Sequence, residues 1–184
     1  LKAQLEKITD SAHNSFKVFR YAKPRFDAPW HFHPEFELTY IVKSSGIRYV
    51  GDSVMEFEKG DLVLLGSGLP HCWKNFEFLE KGAESIVVQW SDNILGNGWQ
   101  NKNEFVHIKR LLNDSTRGAK FSKDAVDRVV PLLYKMDGQP PFERIISLLS
   151  VLQILASQGT YELLSGDNFS IKTNLKESKN IDLI

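Results

Sequence analysis

The apolar positions of this chain change rhythm near residue 100. Before it, short runs of aromatic and branched residues alternate with Gly, Pro, Asn and Asp; after it, apolar residues recur at helical spacing. Residues 16–21, 36–42, 47–50, 54–57, 62–65, 70–73 and 85–90 each predict a strand. Gly51-Asp52-Ser53 reads as the turn of a hairpin between 47–50 and 54–57, and Glu58-Lys59-Gly60-Asp61 as another turn. Many brief strands at close spacing predict a sandwich or barrel rather than βαβ units.

In the second half, Phe105, Ile108, Leu111 and Leu112 fall on one helical face. Ser122 stands where it can cap a helix carrying Val126, Val129, Val130 and Leu133, and Pro131 inside that pattern predicts a kink or break. Pro140-Pro141 opens the strongest helix, over 141–158, with Gly159 at its end. Its residues Phe142, Ile145, Ile146, Leu148, Leu149, Leu152, Ile154 and Leu155 cover more of the circumference than one barrel face needs. The surplus suits a subunit interface, or burial between the barrel and the other helices. Residues 165–184 turn polar and lose periodicity. The expected division is therefore a barrel over 1–100, a helical dimerisation appendage over 101–164 and a linker over 165–184.

With 184 residues the chain can bury one real core plus such an appendage. A hydrophobic share of 42% and a charged share of 25% exclude wholesale disorder. Lys and Arg together number 23, and so do Asp and Glu, so no bulk basic charge draws this chain onto nucleic acid. Cys72 is the sole cysteine, which excludes an intrachain disulfide and predicts a buried thiol in a reducing compartment. No apolar run reaches the length of a membrane span and no signal-peptide pattern opens the chain, so the expectation is a cytoplasmic protein without membrane contact.

The chemistry concentrates between residues 31 and 71. His31 and His33 are two apart, and on an extended strand both point to one face. Glu37 shares their parity on a continuous strand; so does Glu35, unless Pro34 breaks the alternation. Antiparallel pairing could return His71 beside them. Three imidazoles and a carboxylate suit a divalent Zn, Ni, Fe or Mn ion without choosing among them. The same groups could instead meet an organic ligand directly. Thr39 and Ile41 continue the parity of Glu37 as pocket walls, and Tyr49 and Trp73 are aromatic candidates, with Trp90 and Arg48 behind them and Trp30 at the mouth. Such a lining suits a small molecule such as a sugar. His13 and His107 fall outside the cluster and read as surface or local packing residues.

The run His31-Phe32-His33-Pro34-Glu35-Phe36-Glu37 resembles the first motif of the cupin superfamily, and Gly60, Gly68, His71 and Asn75 are spaced as in its second. Three positions depart from that pattern: Gly66 stands where the family has proline, the glycine closing the first motif comes late, at Gly46, and none precedes His31. The resemblance implies a mainly β protein, a cupin or double-stranded β-helix barrel followed by C-terminal α-helices. It also implies His31, His33, Glu37 and His71 as the metal ligands. The longer run through Gly60-Asp61-Leu62-Val63-Leu64-Leu65 to Leu69-Pro70-His71-Cys72-Trp73 is similar to the amino-terminal sensor domain of AraC-family transcription regulators. That likeness implies a non-enzymatic module that binds a small-molecule effector, forms a homodimer through its C-terminal helices and reaches DNA only through a helix-turn-helix domain missing from this chain. The alternative is a metal-dependent cupin enzyme of the dioxygenase or sugar isomerase class. No residue outside the four ligands stands out as a dedicated general acid or base.

Overall fold

The computed structural model describes residues 2–7, 16–76, 82–157, 160–166 and 169. His13 and Gly159 lie outside them, as do residues 167–168 and 170–184 of the expected linker. The strands are β1 (Gln4–Leu5), β2 (Phe16–Lys23), β3 (His31–Phe32), β4 (Phe36–Lys43), β5 (Gly46–Val50), β6 (Ser53–Phe57), β7 (Leu62–Leu65), β8 (His71–Asn75), β9 (Ala83–Trp90), β10 (Ala119–Phe121) and β11 (Tyr161–Leu163). The helices are α1 (Val106–Asp114), α2 (Lys123–Met136) and α3 (Pro141–Ser157). One sheet has the order β1-β3-β8-β5-β6, the other β11-β10-β7-β4-β9-β2.

The two faces of the larger sheet explain its composition. From Phe36 to Ile41 every residue of β4 is buried. Phe36, Leu38 and Tyr40 face outward into a core shared with Leu62, Leu64, Ile86, Val88 and Trp90 and closed by the three helices. Ile41, Val63 and Leu65 face inward and pack with Val50, Phe57, Leu69 and Trp73. Near-continuous apolar runs are what a strand covered on both faces requires. The helices contribute one stripe each: Ile108, Leu111 and Leu112 from α1, Val126, Val129, Leu133 and Met136 from α2, Leu148, Val151, Leu152 and Leu155 from α3. On α3, Phe142 and Ile146 stay exposed on the opposite side.

Ser122 does precede α2, but the bond it makes there is its carbonyl accepting the Val126 N–H at 3.0 Å; its hydroxyl makes no cap bond. Of the kink or break expected at Pro131, the break is corrected: α2 runs through it. Pro131 and Asp127, whose carbonyl loses its usual donor, are both exposed, so water can take that place. Gly66 has a physical reason to replace proline. Its N–H donates to the Ser115 carbonyl at 2.7 Å, and a Cβ there would stand 2.7 Å from the Thr116 nitrogen.

Strands β10 and β11 escaped the sequence reading because three-residue strands carry no periodicity of their own. They bind the helical stretch to the barrel, since β10 pairs with β7 and β11 with β10. Tyr161 adds a cross-link, its hydroxyl donating to Asp114 Oδ2 at 2.6 Å. Replacing Tyr161 with Phe should lower unfolding free energy by about 1 kcal/mol in urea titration, with the metal-ligand cluster untouched. Beyond β11, Ser165 Oγ donates to the Val50 carbonyl at 2.9 Å and the Gly166 N–H to Asp52 Oδ1 at 2.9 Å, fastening the chain to the β5–β6 hairpin. No helix among the described residues is long and apolar enough to cross a membrane.

Candidate metal centre

The continuous strand expected over 31–37 is corrected. β3 belongs to the five-stranded sheet and β4 to the six-stranded one, and the chain crosses between them at Pro34 and Glu35. The cluster forms all the same, because both sheets turn the relevant side chains into the barrel. His71 opens β8 and pairs directly with His31. Gly68, at φ 75°, donates its N–H to the His33 carbonyl at 2.8 Å, so the loop before His71 is held against the first motif.

Each imidazole is anchored by a backbone carbonyl. Nδ1 of His31 lies 2.8 Å from the Pro29 oxygen, Nδ1 of His71 2.8 Å from that of Leu69 and Nδ1 of His33 3.2 Å from that of Glu35. A carbonyl can only accept, so each Nδ1 carries the proton and Nε2 is left to meet a carboxylate or a cation: His31 Nε2 lies 3.2 Å from Glu6 Oε2. The three rings offer ligand atoms within 4.8 Å of one another, all three residues buried. His31 and His71 pack edge to face at 4.3 Å, His33 and His71 at 5.2 Å.

Glu37 closes the cluster from β4. Its Oε2 is 3.1 Å from His33 Nε2 and accepts from Gln89 Nε2 at 2.8 Å; its Oε1 accepts from Thr39 Oγ1 at 2.7 Å and lies 3.7 Å from His71 Nε2. Burial alone would raise the Glu37 pKa, but His71, His33 and Thr39 outweigh it and hold the carboxyl well below its ordinary range. Burial pulls His71 down to about 4, against the pull of Glu37. For His31 burial also acts downward, yet the Glu6 carboxylate and the Pro29 carbonyl carry it above its ordinary value.

Two observations fit a divalent cation here. His71 Nε2 is buried with no hydrogen-bond partner, an acceptor held out of water. His33 Nε2 faces Glu37 Oε2 with its other nitrogen already bonded, so a proton or a cation must bridge the two. The triad of His31, His33 and His71 is a divalent-metal site in its donor chemistry, nitrogen with a neighbouring carboxylate, as expected for Zn, Ni, Fe or Mn.

Beside the triad is a cavity of about 130 Å³, lined in part by Thr39, Ile41 and Trp73. Tyr49 is not there. Strand β5 pairs Val50 with His71 and Arg48 with Trp73, which turns Arg48 and Val50 inward and Tyr49 outward. Arg48 is fully buried but pairs with Asp61 and does not line the cavity. Trp90 faces the helices and stacks on Phe36 at 5.7 Å; Trp30 is half-buried just ahead of β3, and His107 is exposed. The sequence reading missed Gln89 and Glu6. Gln89 was within reach, since it alternates with Val87 on β9. Glu6 follows β1, whose parallel pairing with β3 brings its Oε2 to 3.2 Å from His31 Nε2, and nothing local announces that.

Residues 17–77 match the family model described as the cupin domain. The expected fold class holds: an N-terminal cupin region of double-stranded β-helix type, followed by the helices α1–α3. Among solved structures, the chain is similar to a Cupin 2 conserved barrel domain protein from Salinispora arenicola, at 17% identity over 48% of this chain and 74% of that one, TM-score 0.39. It is also similar to a variant of Bacillus subtilis oxalate decarboxylase, at 27% identity over 43% of this chain and 22% of that one, TM-score 0.37. A third is an RmlC-like cupin family protein from Methanocaldococcus jannaschii, at 15% identity over 47% of this chain and 91% of that one, TM-score 0.36. The match thus spans less than a quarter of the oxalate decarboxylase chain. No curated protein matches.

The expectation of a non-enzymatic sensor domain from an AraC-family regulator is corrected by the centre itself. Its three histidines are preset as metal ligands. The transcription-regulation and DNA-binding roles attached to that likeness fall with it.

Proposed function

We propose that the chain is a metal-dependent cupin enzyme whose centre is built by His31, His33, Glu37 and His71. What supports this reading above all is the triad of buried imidazoles, each with Nδ1 bonded to a carbonyl and all three offering ligand atoms within 4.8 Å of one another. The three would hold a divalent ion through Nε2, with Glu37 completing the donor set. Bound there, the ion supplies Lewis-acid polarisation of a substrate oxygen.

The rest is done by the chain. The Pro29, Glu35 and Leu69 carbonyls fix ring orientation, the second-sphere arrangement that tunes ligand basicity. Thr39 and Gln89 hold Glu37 in place, and because its carboxyl is ionised at neutral pH it balances charge rather than donating a proton. Phe26, Ile41 and Trp73 wall the cavity with apolar surface, and that low-dielectric wall strengthens the electrostatic contacts beside it. The protein, dialysed against Zn, Ni, Fe or Mn and measured by elemental analysis, should retain a stoichiometric ion. Turnover of small oxygenated substrates should disappear on chelation and return with the metal. Turnover that survives complete metal removal would sink this function.

A further inference from the structure

The cavity beside the triad selects its occupant by charge. Resting on the metal-dependent reading above, we propose that the substrate is a small uncharged organic molecule with an apolar or aromatic body and an oxygen acceptor, rather than a carboxylate anion. Size is the first argument. A cavity of about 130 Å³ is close to the roughly 150 Å³ engineered void that accommodates benzene. The walls are the second: Phe19, Tyr21, Phe26, Ile41, Trp73 and Val87 make its lining mostly aromatic and branched surface.

Charge is the third. Two carboxylates, Glu6 and Glu37, border the cavity, and no Lys or Arg does so among the described residues. The buried guanidinium of Arg48 is paired with Asp61 and does not line the cavity. A divalent ion on the triad would already be matched, charge for charge, by Glu6 and Glu37. An anionic substrate would then bring unpaired negative charge against mostly apolar walls and two carboxylates, a costly placement. A neutral substrate leaves that balance intact. Trp73 offers it a handle, since its Nε1–H is buried without a partner and a ligand oxygen would satisfy it.

The test compares two probes on the metal-loaded full chain, phenol as the neutral ring and oxalate as the small dianion, by calorimetry and tryptophan fluorescence. Phenol should bind saturably and at least about tenfold more tightly than oxalate. Val87→Phe, which fills the cavity from β9 without touching a ligand, should weaken phenol about tenfold or more while metal content stays stoichiometric. Val87→Leu, a smaller intrusion, should shift phenol binding in the same direction if the larger side chain prevents folding. Glu6→Lys should narrow the gap by admitting oxalate. Oxalate binding as tightly as phenol, or phenol binding indifferent to residue 87, would overturn the proposal. Metal content reports separately on the enzyme reading: a chain that takes phenol in this cavity but holds no metal keeps the ligand class and loses the enzyme.

Discussion

Protein carrying His71→Ala should emerge from metal loading nearly empty. His71 contributes the one ligand nitrogen that is buried with no other partner, so nothing else in the barrel can replace it. Its ring also packs against His31 at 4.3 Å, His33 at 5.2 Å and Trp73 at 5.8 Å, and its removal loosens the other two ligands as well. Changing outer partners of metal ligands costs about 10–100-fold in affinity, so losing a ligand should cost on the order of a hundredfold or more. His33→Ala should do the same, because it also releases Glu37 Oε2. His107→Ala, on the exposed side of α1, is the control and should load like the unaltered chain. Elemental analysis reads all three, with circular dichroism to show that each has folded. Stoichiometric metal in the folded His33→Ala and His71→Ala proteins would remove the centre from this triad.

Which parts of this arrangement were legible in the sequence follows from how local each signal is. The strands around Phe36 and Leu62 could be read because both faces of their sheet are covered and the residues had to be apolar. The hairpin at Gly51 could be read because its turn demands residues of that kind; Gly51 sits at φ 57°. The four polar residues of the centre stood out by type and spacing. Their means of assembly did not: the chain changes sheets between His33 and Phe36, and only the barrel's closure brings the two pieces face to face. The aromatic ring of Tyr49 suggests a pocket wall, but parity on β5 is set by pairing with β8, and that pairing puts Arg48 inside instead. An arginine in a barrel interior looks implausible from local sequence because its partner, Asp61, belongs to a turn 13 residues away. Glu6 was hidden for the same reason, since its approach to His31 depends on a two-residue parallel pairing.

The Arg48–Asp61 pair should be the most sensitive point of the fold away from the metal centre. Arg48 side-chain exposure is 1% and that of Asp61 is 3%, and Lys120 Nζ adds a second cation 3.6 Å from Asp61 Oδ1. Asp61 also carries backbone bonds that join the turn to β4, its carbonyl accepting the Ile41 N–H at 2.9 Å, so the pair ties β5 of one sheet to the start of β7 in the other. Asp61→Ala leaves a guanidinium in the interior with no counter-charge, which costs about 3–5 kcal/mol. The urea midpoint should fall accordingly with an unchanged slope. Replacing both partners, as Arg48→Met with Asp61→Leu, removes the unpaired charge along with the pair and should recover most of that loss, because an apolar pair of similar volume stands in well for a buried ion pair. The double variant should also keep its metal, since neither residue reaches the histidines or lines the cavity beside them. A folded Asp61→Ala protein within about 1 kcal/mol of the parent would mean that water reaches Arg48 and that the two sheets are held at this end by apolar packing alone.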